Sequence, residues 1–305
     1  MRIVMAGSSG LLGSRLRASI SEDGHDVTRL VRRSPRAENE RQWDPHAGSV
    51  DPSVLAGADA VVNLAGAGVE DKRWSDSYKQ TLITSRTRPT STLAQALAGL
   101  SAGQRPPLLV NASAVGFYGD TGDTVVDEES PAGTGFFPDL CQAWERSTIP
   151  AREAGVRVVL LRSGLVLDSA GGLLRPIALA TRLFAGGPLA GGRNWMPWIS
   201  MADWVGAVRF LMDRDDLAGP VNVVGPDPVR NKDFTAALAR AVRRPAPWPI
   251  PRFALRIVLG EFANEAVANQ RVLPAVLNRA GYIFEHSDVD SALRFALARN
   301  PGRSA

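Results

Sequence analysis

The chain has 305 residues, enough for one large or two modest domains around a sizeable core. Its 45% apolar and 22% charged residues are ordinary for a globular protein, and its net charge of +4 comes from scattered arginines with only three lysines, so no nucleic-acid partner is expected. A lone cysteine, Cys141, excludes an internal disulfide, the isolated His25, His46 and His286 offer no metal-ligand spacing, and neither a signal-like segment nor a bilayer-spanning run is present; the expectation is a cytoplasmic protein with no metal and no membrane partner.

Arg2–Ala6 is an apolar run that reads as a strand. It leads into Gly7-Ser8-Ser9-Gly10-Leu11-Leu12-Gly13 and then a helical pattern over 11–22. The glycine spacing is G-x-x-G-x-x-G. Gly7 permits a tight turn out of the strand, Gly10 lets backbone approach a pyrophosphate, and Gly13 lets the helix pack closely on the strand. The helix N-terminus adds free N–H groups and the positive end of its dipole. A glycine pattern alone is a weak signal, but its place between an apolar strand and a helix is the context of a dinucleotide cradle.

The second strand, Asp26–Val31, runs into Arg32-Arg33. NAD sites place an acid about 20 residues beyond the glycines, where it binds the ribose 2′-hydroxyl. Here no Asp or Glu follows the arginines until Glu38. Arginine pairs with a 2′-phosphate through a forked, charge-assisted bond. NADP(H) is therefore favoured over NAD(H), against the alternative that both arginines are a solvated strand end.

A short extended piece near Trp43 comes next, then strands over 59–64, 107–113, 156–167 and 221–224, with helical patterns near 75–100, 136–154 and 201–213. Apolar strands alternating with helices predict a parallel sheet covered on both faces. Beyond 168 the pattern changes: glycine pairs break up 168–200, and a Pro-rich stretch over 244–251 precedes a helical tail over 252–298. The expected architecture is α/β: a Rossmann-type doubly wound domain over 1–167 and 201–224, with a smaller C-terminal substrate-binding lobe over 168–200 and 225–305. No linker is long enough to separate them, so the lobes should share a cleft.

With these elements in place, the sequence resembles the extended short-chain dehydrogenase/reductases, and more closely their atypical branch of epimerase-family proteins. The matching residues run along nearly the whole chain. They include the glycine loop, Asp59-Ala-Val-Val-Asn-Leu-Ala-Gly66, Arg73-Trp74, Ser85-Arg86 and Ser113-Ala-Val-Gly-Phe-Tyr-Gly119. Trp144-Glu145, Leu161-Arg-Ser-Gly-Leu-Val-Leu167, Trp195-Met-Pro-Trp-Ile199 with Asp203-Trp204, and Gln270-Arg-Val-Leu-Pro274 follow. The resemblance implies NADP(H) on the first lobe, touched by Leu64, Ala65, Gly66, Arg86, Gly164 and Leu165 besides the loop, and a small-molecule pocket between the lobes. It supplies no substrate.

In that superfamily a Ser or Thr, a Tyr-x-x-x-Lys pair and an Asn form the active site. Tyrosine is a poor acid–base at neutral pH, and a lysine one turn away lowers its pKa. Ser113 fits the serine position. The pair is absent: the residues four beyond Tyr78, Tyr118 and Tyr282 are Leu82, Gly122 and His286. Anchored on Glu145 and Arg162, the tyrosine falls at Phe137, the lysine at Cys141 and the asparagine at Arg86. Tyr118, in a loop after the Ser113 strand, is the candidate substitute acid–base, with a structural loop tyrosine as the alternative.

Trp74, Phe136, Phe137, Trp195 and Trp198 could line an apolar substrate site or belong to the core, and Arg73, Arg86 and Arg193 could bind an anionic group. The expected function is an NADP(H)-binding oxidoreductase or epimerase for an unknown small molecule. The alternative is a non-catalytic NADPH-binding sensor or partner-binding module. A homodimer is compatible with either.

Overall fold

The computed structural model describes residues 1–265 and 267–298. The first strand, β1 (Arg2–Ala6), is buried after Arg2, and its side chains alternate between two layers: Ile3 and Met5 face one core, Val4 and Ala6 the other. The chain turns at Gly7 into α1 (Leu11–Glu22), which buries Gly13, Leu16 and Ile20. β2 (Asp26–Val31) and β3 (Glu40–Gln42) follow, then α2 (Pro52–Leu55) and β4 (Ala60–Asn63). The 24-residue α3 (Asp76–Gly99) starts at Ser75, whose hydroxyl accepts from the Tyr78 N–H. It leads to β5 (Leu108–Ala114), a single 3-10 turn over Val115–Tyr118 and the two-residue β6 (Val125–Val126).

Next come α4 (Phe136–Arg146), α5 (Ile149–Glu153) and β7 (Arg157–Ser163). The 156–167 run, read from sequence as one strand, breaks at Gly164. The Gly164 N–H donates to Val223 O at 3.1 Å and the Leu165 N–H to Pro197 O at 2.7 Å, which turns β8 (Leu165–Leu167) out of the main sheet. After α6 (Leu174–Arg182) and β9 (Trp195–Met196), β10 (Trp198–Ser200) pairs with β8 in parallel. The chain then returns through α7 (Met201–Met212) to β11 (Gly219–Val223).

The central sheet has seven parallel strands in the order β11-β7-β5-β4-β1-β2-β3. Strand order reverses between β1 and β4, so a crevice opens beyond their C-terminal ends. One face is covered by α1 and α7, with Trp204, Ala207, Val208 and Leu211 packed on Met5 and Val62. The other is covered by α2, α3 and α5, with Leu93, Ala94, Leu97 and Ala151 packed on Val4 and Val61.

The remaining chain holds β12 (Val229–Arg230), α8 (Asn231–Val242), α9 (Arg252–Leu259), α10 (Phe262–Glu265), β13 (Arg271–Val272), α11 (Ala275–Arg279) and α12 (Val289–Ala298). A second core joins Leu167, Leu174, Ala178 and Trp198 to Phe234, Leu238, Val289 and Leu293. The expected helical tail over 252–298 is thus four short helices interrupted by β13. It is also not confined to the smaller lobe, because Leu277 is fully buried in the first core with Tyr282 and Phe284 packed beside it. Ala266 and residues 299–305 of the expected 225–305 segment lie outside the described residues. No helix among the described residues is long and apolar enough to cross a membrane.

Candidate functional site

A cleft of about 700 Å³ opens at the β1/β4 switch point. It is lined by Gly7, Ser8, Ser9 and Gly10, by Arg29 to Arg33 and Glu40 from β2 and β3, by Leu64 to Ala67 after β4, and by Thr81, Thr84, Ser85 and Arg88 from α3. The loop glycines divide their work. Gly7 has φ +76°, and a Cβ there would overlap the Leu64 carbonyl. A Cβ on Gly13 would overlap Gly7 O, so the helix can lie this close only without one. Gly10 differs: the sole atom within 4 Å of such a Cβ is Gly7 O, at 3.5 Å. Gly10 is also the N-cap of α1 and supplies no side-chain cap, which leaves first-turn N–H groups available to a ligand. The loop therefore presents open space and donors to the cleft, as an anionic dinucleotide requires.

The end of β2 is less simple than its sequence. Glu40 stands opposite Arg29 in the β2–β3 register and is only 2% exposed. Arg33 grips it with two bonds of 2.7 and 2.8 Å, Arg29 lies 2.9 Å away, and the Arg36 N–H donates to it at 2.7 Å. These contacts, the Arg33 bond first, hold its carboxyl at about 2, so it is ionised. The expectation that acid is missing here is corrected: an acid does adjoin the cleft, and Arg33 is spent on it. Arg32 is exposed on the cleft wall, with no carboxylate in salt-bridge range among the described residues.

The loop after β4 is tied down from below. The Asn63 amide donates to Thr90 at 2.9 Å and Asn111 at 2.7 Å, and its oxygen accepts from the Ala65 N–H at 3.2 Å. Ser85 Oγ accepts from the Ala67 N–H at 3.1 Å, and Arg86 donates to Ala67 O at 2.9 Å. Arg86 is thus a half-buried brace under Gly66 and does not line the cleft, and burial lowers its pKa. Asn63 and Ser85 lie in motifs that carry the resemblance but receive no role from sequence, and Glu40 is not singled out there. The one local signal was Asn63, a polar residue closing an apolar strand.

Leu11, Leu12, Gly164 and Leu165, also expected at the cofactor, are not among the residues lining the cleft. Leu11 packs towards Gly171 and Gly172, Leu12 towards the first core, and Gly164 and Leu165 use their N–H groups to divide β7 from β8. Arg15 on α1 joins the two lobes through Asp168 at 3.0 Å.

The expected catalytic pair is in neither case free. Ser113 is buried and donates to Glu145 Oε1 at 2.6 Å. Arg162 binds both oxygens of Glu145 at 2.9 Å and donates to the Tyr118 hydroxyl at 3.0 Å. Tyr118 in turn donates to Asn222 at 2.7 Å. Tyr118 is only 2% exposed, and burial pushes its pKa up to about 12. It is a core hydroxyl in a charge network, not a group at the cleft edge, and the sequence expectation is corrected on that point. Cys141 is fully buried, and burial pushes its thiol to about 12, so it is no nucleophile at neutral pH.

Half of the expected substrate residues come together. Trp74 packs edge-on against Phe136 and Phe137 at 5.0 and 5.2 Å, and Phe262 completes the group at 5.4 Å. Arg73 anchors the same loop by donating to Ile257 O at 3.1 Å. Trp195 is elsewhere, bonded to Asp123 and sandwiched by Arg230 and Arg271 at 4.1 and 4.5 Å. Arg193 is exposed beside it. Trp198 is 1% exposed in the second core and bonded to Asp227 O, so it is a packing residue and not a pocket wall.

Comparison with known proteins agrees with this geometry. The NAD dependent epimerase/dehydratase family matches residues 3–141, and a domain of unknown function (DUF1731) matches residues 250–296. An epimerase family protein of Mycobacterium bovis is 46% identical over 301 residues, 98% of each chain. A chloroplastic SDR39U1 homolog of Arabidopsis thaliana, also an epimerase family protein, is 34% identical over 96% of this chain and 86% of its own. The crystal structure of human epimerase family protein SDR39U1 with NADPH superposes with a TM-score of 0.90 at 29% identity, covering 98% of this chain and 100% of that one.

Proposed function

Because the chain belongs to the epimerase family of NAD-dependent epimerases and dehydratases, we propose that it binds NADP(H) in the glycine-loop cleft and acts as an oxidoreductase or epimerase on a small molecule. The observation that carries this reading is that an α1 N-terminus without a side-chain cap at Gly10 and an Arg32 with no carboxylate partner among the described residues line the same cleft. The N–H groups of the loop and of the first turn of α1 would hold the pyrophosphate. Arg32 would hold the 2′-phosphate. The ionised Glu40 is offset by Arg29 and Arg33, which keeps the wall from repelling that phosphate. When bound, the nicotinamide supplies a hydride donor or acceptor. The human relative's NADPH supports the choice of the phosphorylated cofactor. The Trp74, Phe136, Phe137 and Phe262 cluster gives the loop after β4 an apolar surface suited to a flat or apolar substrate group.

Titration with NADPH and NADH, followed by cofactor fluorescence, tests the cofactor. NADPH should bind at least about tenfold tighter, and Arg32→Ala should erase that preference, since one charge-assisted contact contributes about 1.5–3 kcal/mol. Equal affinities in the wild type overturn the assignment.

A second reading, a sensor that holds NADPH without turnover, is favoured by one observation: the Ser113 and Tyr118 hydroxyls are both committed to the Glu145–Arg162 pair. General acid–base help contributes about 10²–10⁴-fold, so any turnover without it is slow. Transfer of label from deuterated NADPH to a panel of carbonyl compounds, with product stereochemistry checked for internal hydride return, separates the two. Slow transfer that Tyr118→Phe leaves unchanged is the expected result. No transfer, with a protein partner that distinguishes NADP⁺ from NADPH, overturns the enzyme reading.

A further inference from the structure

Two stretches of the chain, 169–202 and 234–260, contain eight arginines and no aspartate, glutamate or lysine. The whole molecule has a net charge of only +4, so the positive charge is concentrated here while the remainder is net acidic. The same stretches hold six of the nine large apolar side chains exposed among the described residues: Leu179, Leu183, Phe184, Trp248, Phe253 and Ile257.

Contacts bring the 184–190 and 244–257 parts of these stretches together. A Cβ on Gly187 would overlap the Trp248 carbonyl, so the two strands of chain touch there. The Ile250 N–H donates to Pro188 O and the Ala190 N–H to Ile250 O, both at 2.9 Å. The Arg244 guanidinium lies 5.6 Å over the Phe184 ring. On α9, Leu255 is buried against Leu189, Ala190 and Ile250. That contact turns Phe253 and Ile257, one helical turn apart, outward at 68% and 69% exposure, beside Trp248 at 70%. Arg252 and Arg256 repeat the same spacing next to them. Among the described residues, none of Arg175, Arg182, Arg243, Arg244, Arg252 and Arg256 has a carboxylate in salt-bridge range.

We propose that this face docks on the surface of an anionic lipid bilayer, with Trp248, Phe253 and Ile257 set among the headgroups and the arginines on lipid phosphates. An interfacial surface combines protruding apolar side chains with a basic surround, and both are present. Aromatic and arginine side chains each suit a boundary that is apolar on one side and wet on the other. A second copy of the chain is the poorer occupant, because a two-fold interface sets the patch against itself and arginine against arginine. The sequence expectation of no membrane partner rested on the absence of a spanning segment, and surface attachment needs none.

Co-sedimentation with vesicles tests the proposal on the full chain. The protein should pellet with vesicles of phosphatidylcholine and phosphatidylglycerol in equal parts. It should bind pure phosphatidylcholine at least about tenfold more weakly, and raised ionic strength should release it. Phe253→Ser with Ile257→Ser, and separately Arg252→Ala with Arg256→Ala, should each weaken binding by about tenfold or more. All four side chains are exposed, so the melting temperature should be kept in both variants. Failure to pellet with the anionic vesicles overturns the proposal, as does binding that neither variant alters. Light scattering that shows an oligomer dissolved by Phe253→Ser with Ile257→Ser, without vesicle binding, would assign the face to a second copy instead.

Discussion

Gly10→Val should reduce NADPH affinity by more than about a hundredfold, roughly 2.8 kcal/mol at 1.4 kcal/mol per decade, in a protein that still folds. The separation of binding from folding is what makes this substitution informative. Gly10 has φ −71°, a conformation open to any residue, and its missing Cβ points to space bounded only by Gly7 O at 3.5 Å. Valine therefore meets little protein. It occupies the volume above the α1 N-terminus that a pyrophosphate would need. Its folding cost is that of a poor N-cap, at most about 1–2 kcal/mol. The neighbouring glycines should behave differently. Gly13→Ala drives a methyl into Gly7 O, and Gly7→Ala adds a left-handed φ of +76° to an overlap with Leu64. Both should lower the melting temperature outright. Fluorescence titration of folded Gly10→Val, beside its thermal melt, checks the prediction. Wild-type affinity in that variant would remove the loop from the cofactor site.

That loop was legible because everything it needs is local: a strand, three glycines at fixed spacing and a helix within the first 22 residues. The parallel order of the sheet was legible for a similar reason, since buried strands of four to seven residues alternate with helices. What failed to show in sequence depends on partners far along the chain. Glu40 reaches the β2 arginines only because the three-residue β3 pairs in a register that sets it opposite Arg29. Tyr118 looks like a free loop tyrosine until Asn222, over a hundred residues later, accepts a hydrogen bond from its hydroxyl and Arg162 donates to it. Phe262 joins Trp74 from a segment whose sequence reads only as a helical tail. Trp195 and Trp198 are three residues apart and face opposite fates, one stacked between surface arginines and the other sealed in the second core.

The same long-range network sets the second large effect, which concerns stability. Glu145→Gln should destabilise the fold by about 3–5 kcal/mol, because it leaves a buried cation without its counter-charge. Arg162 is 4% exposed, and Glu145 is the carboxylate that binds it, through both oxygens. Phe117, with its ring 3.5 Å from the guanidinium, and the Tyr118 hydroxyl supply only partial negative charge. The cost is therefore not that of a surface ion pair, whose loss is small. Arg162→Leu alone should be comparably damaging, since it strands the Glu145 carboxylate and its Ser113 partner. The double variant, Glu145→Leu with Arg162→Leu, should recover much of the loss, because two apolar groups need no counter-charge. Urea unfolding of the wild type, Glu145→Leu, Arg162→Leu and the double variant gives the coupling energy directly. Neither residue lines the glycine-loop cleft, so NADPH affinity of the folded fraction should stay at the wild-type value. A Glu145→Gln protein of normal stability but weakened NADPH binding would show that the network serves the cofactor site and not the core.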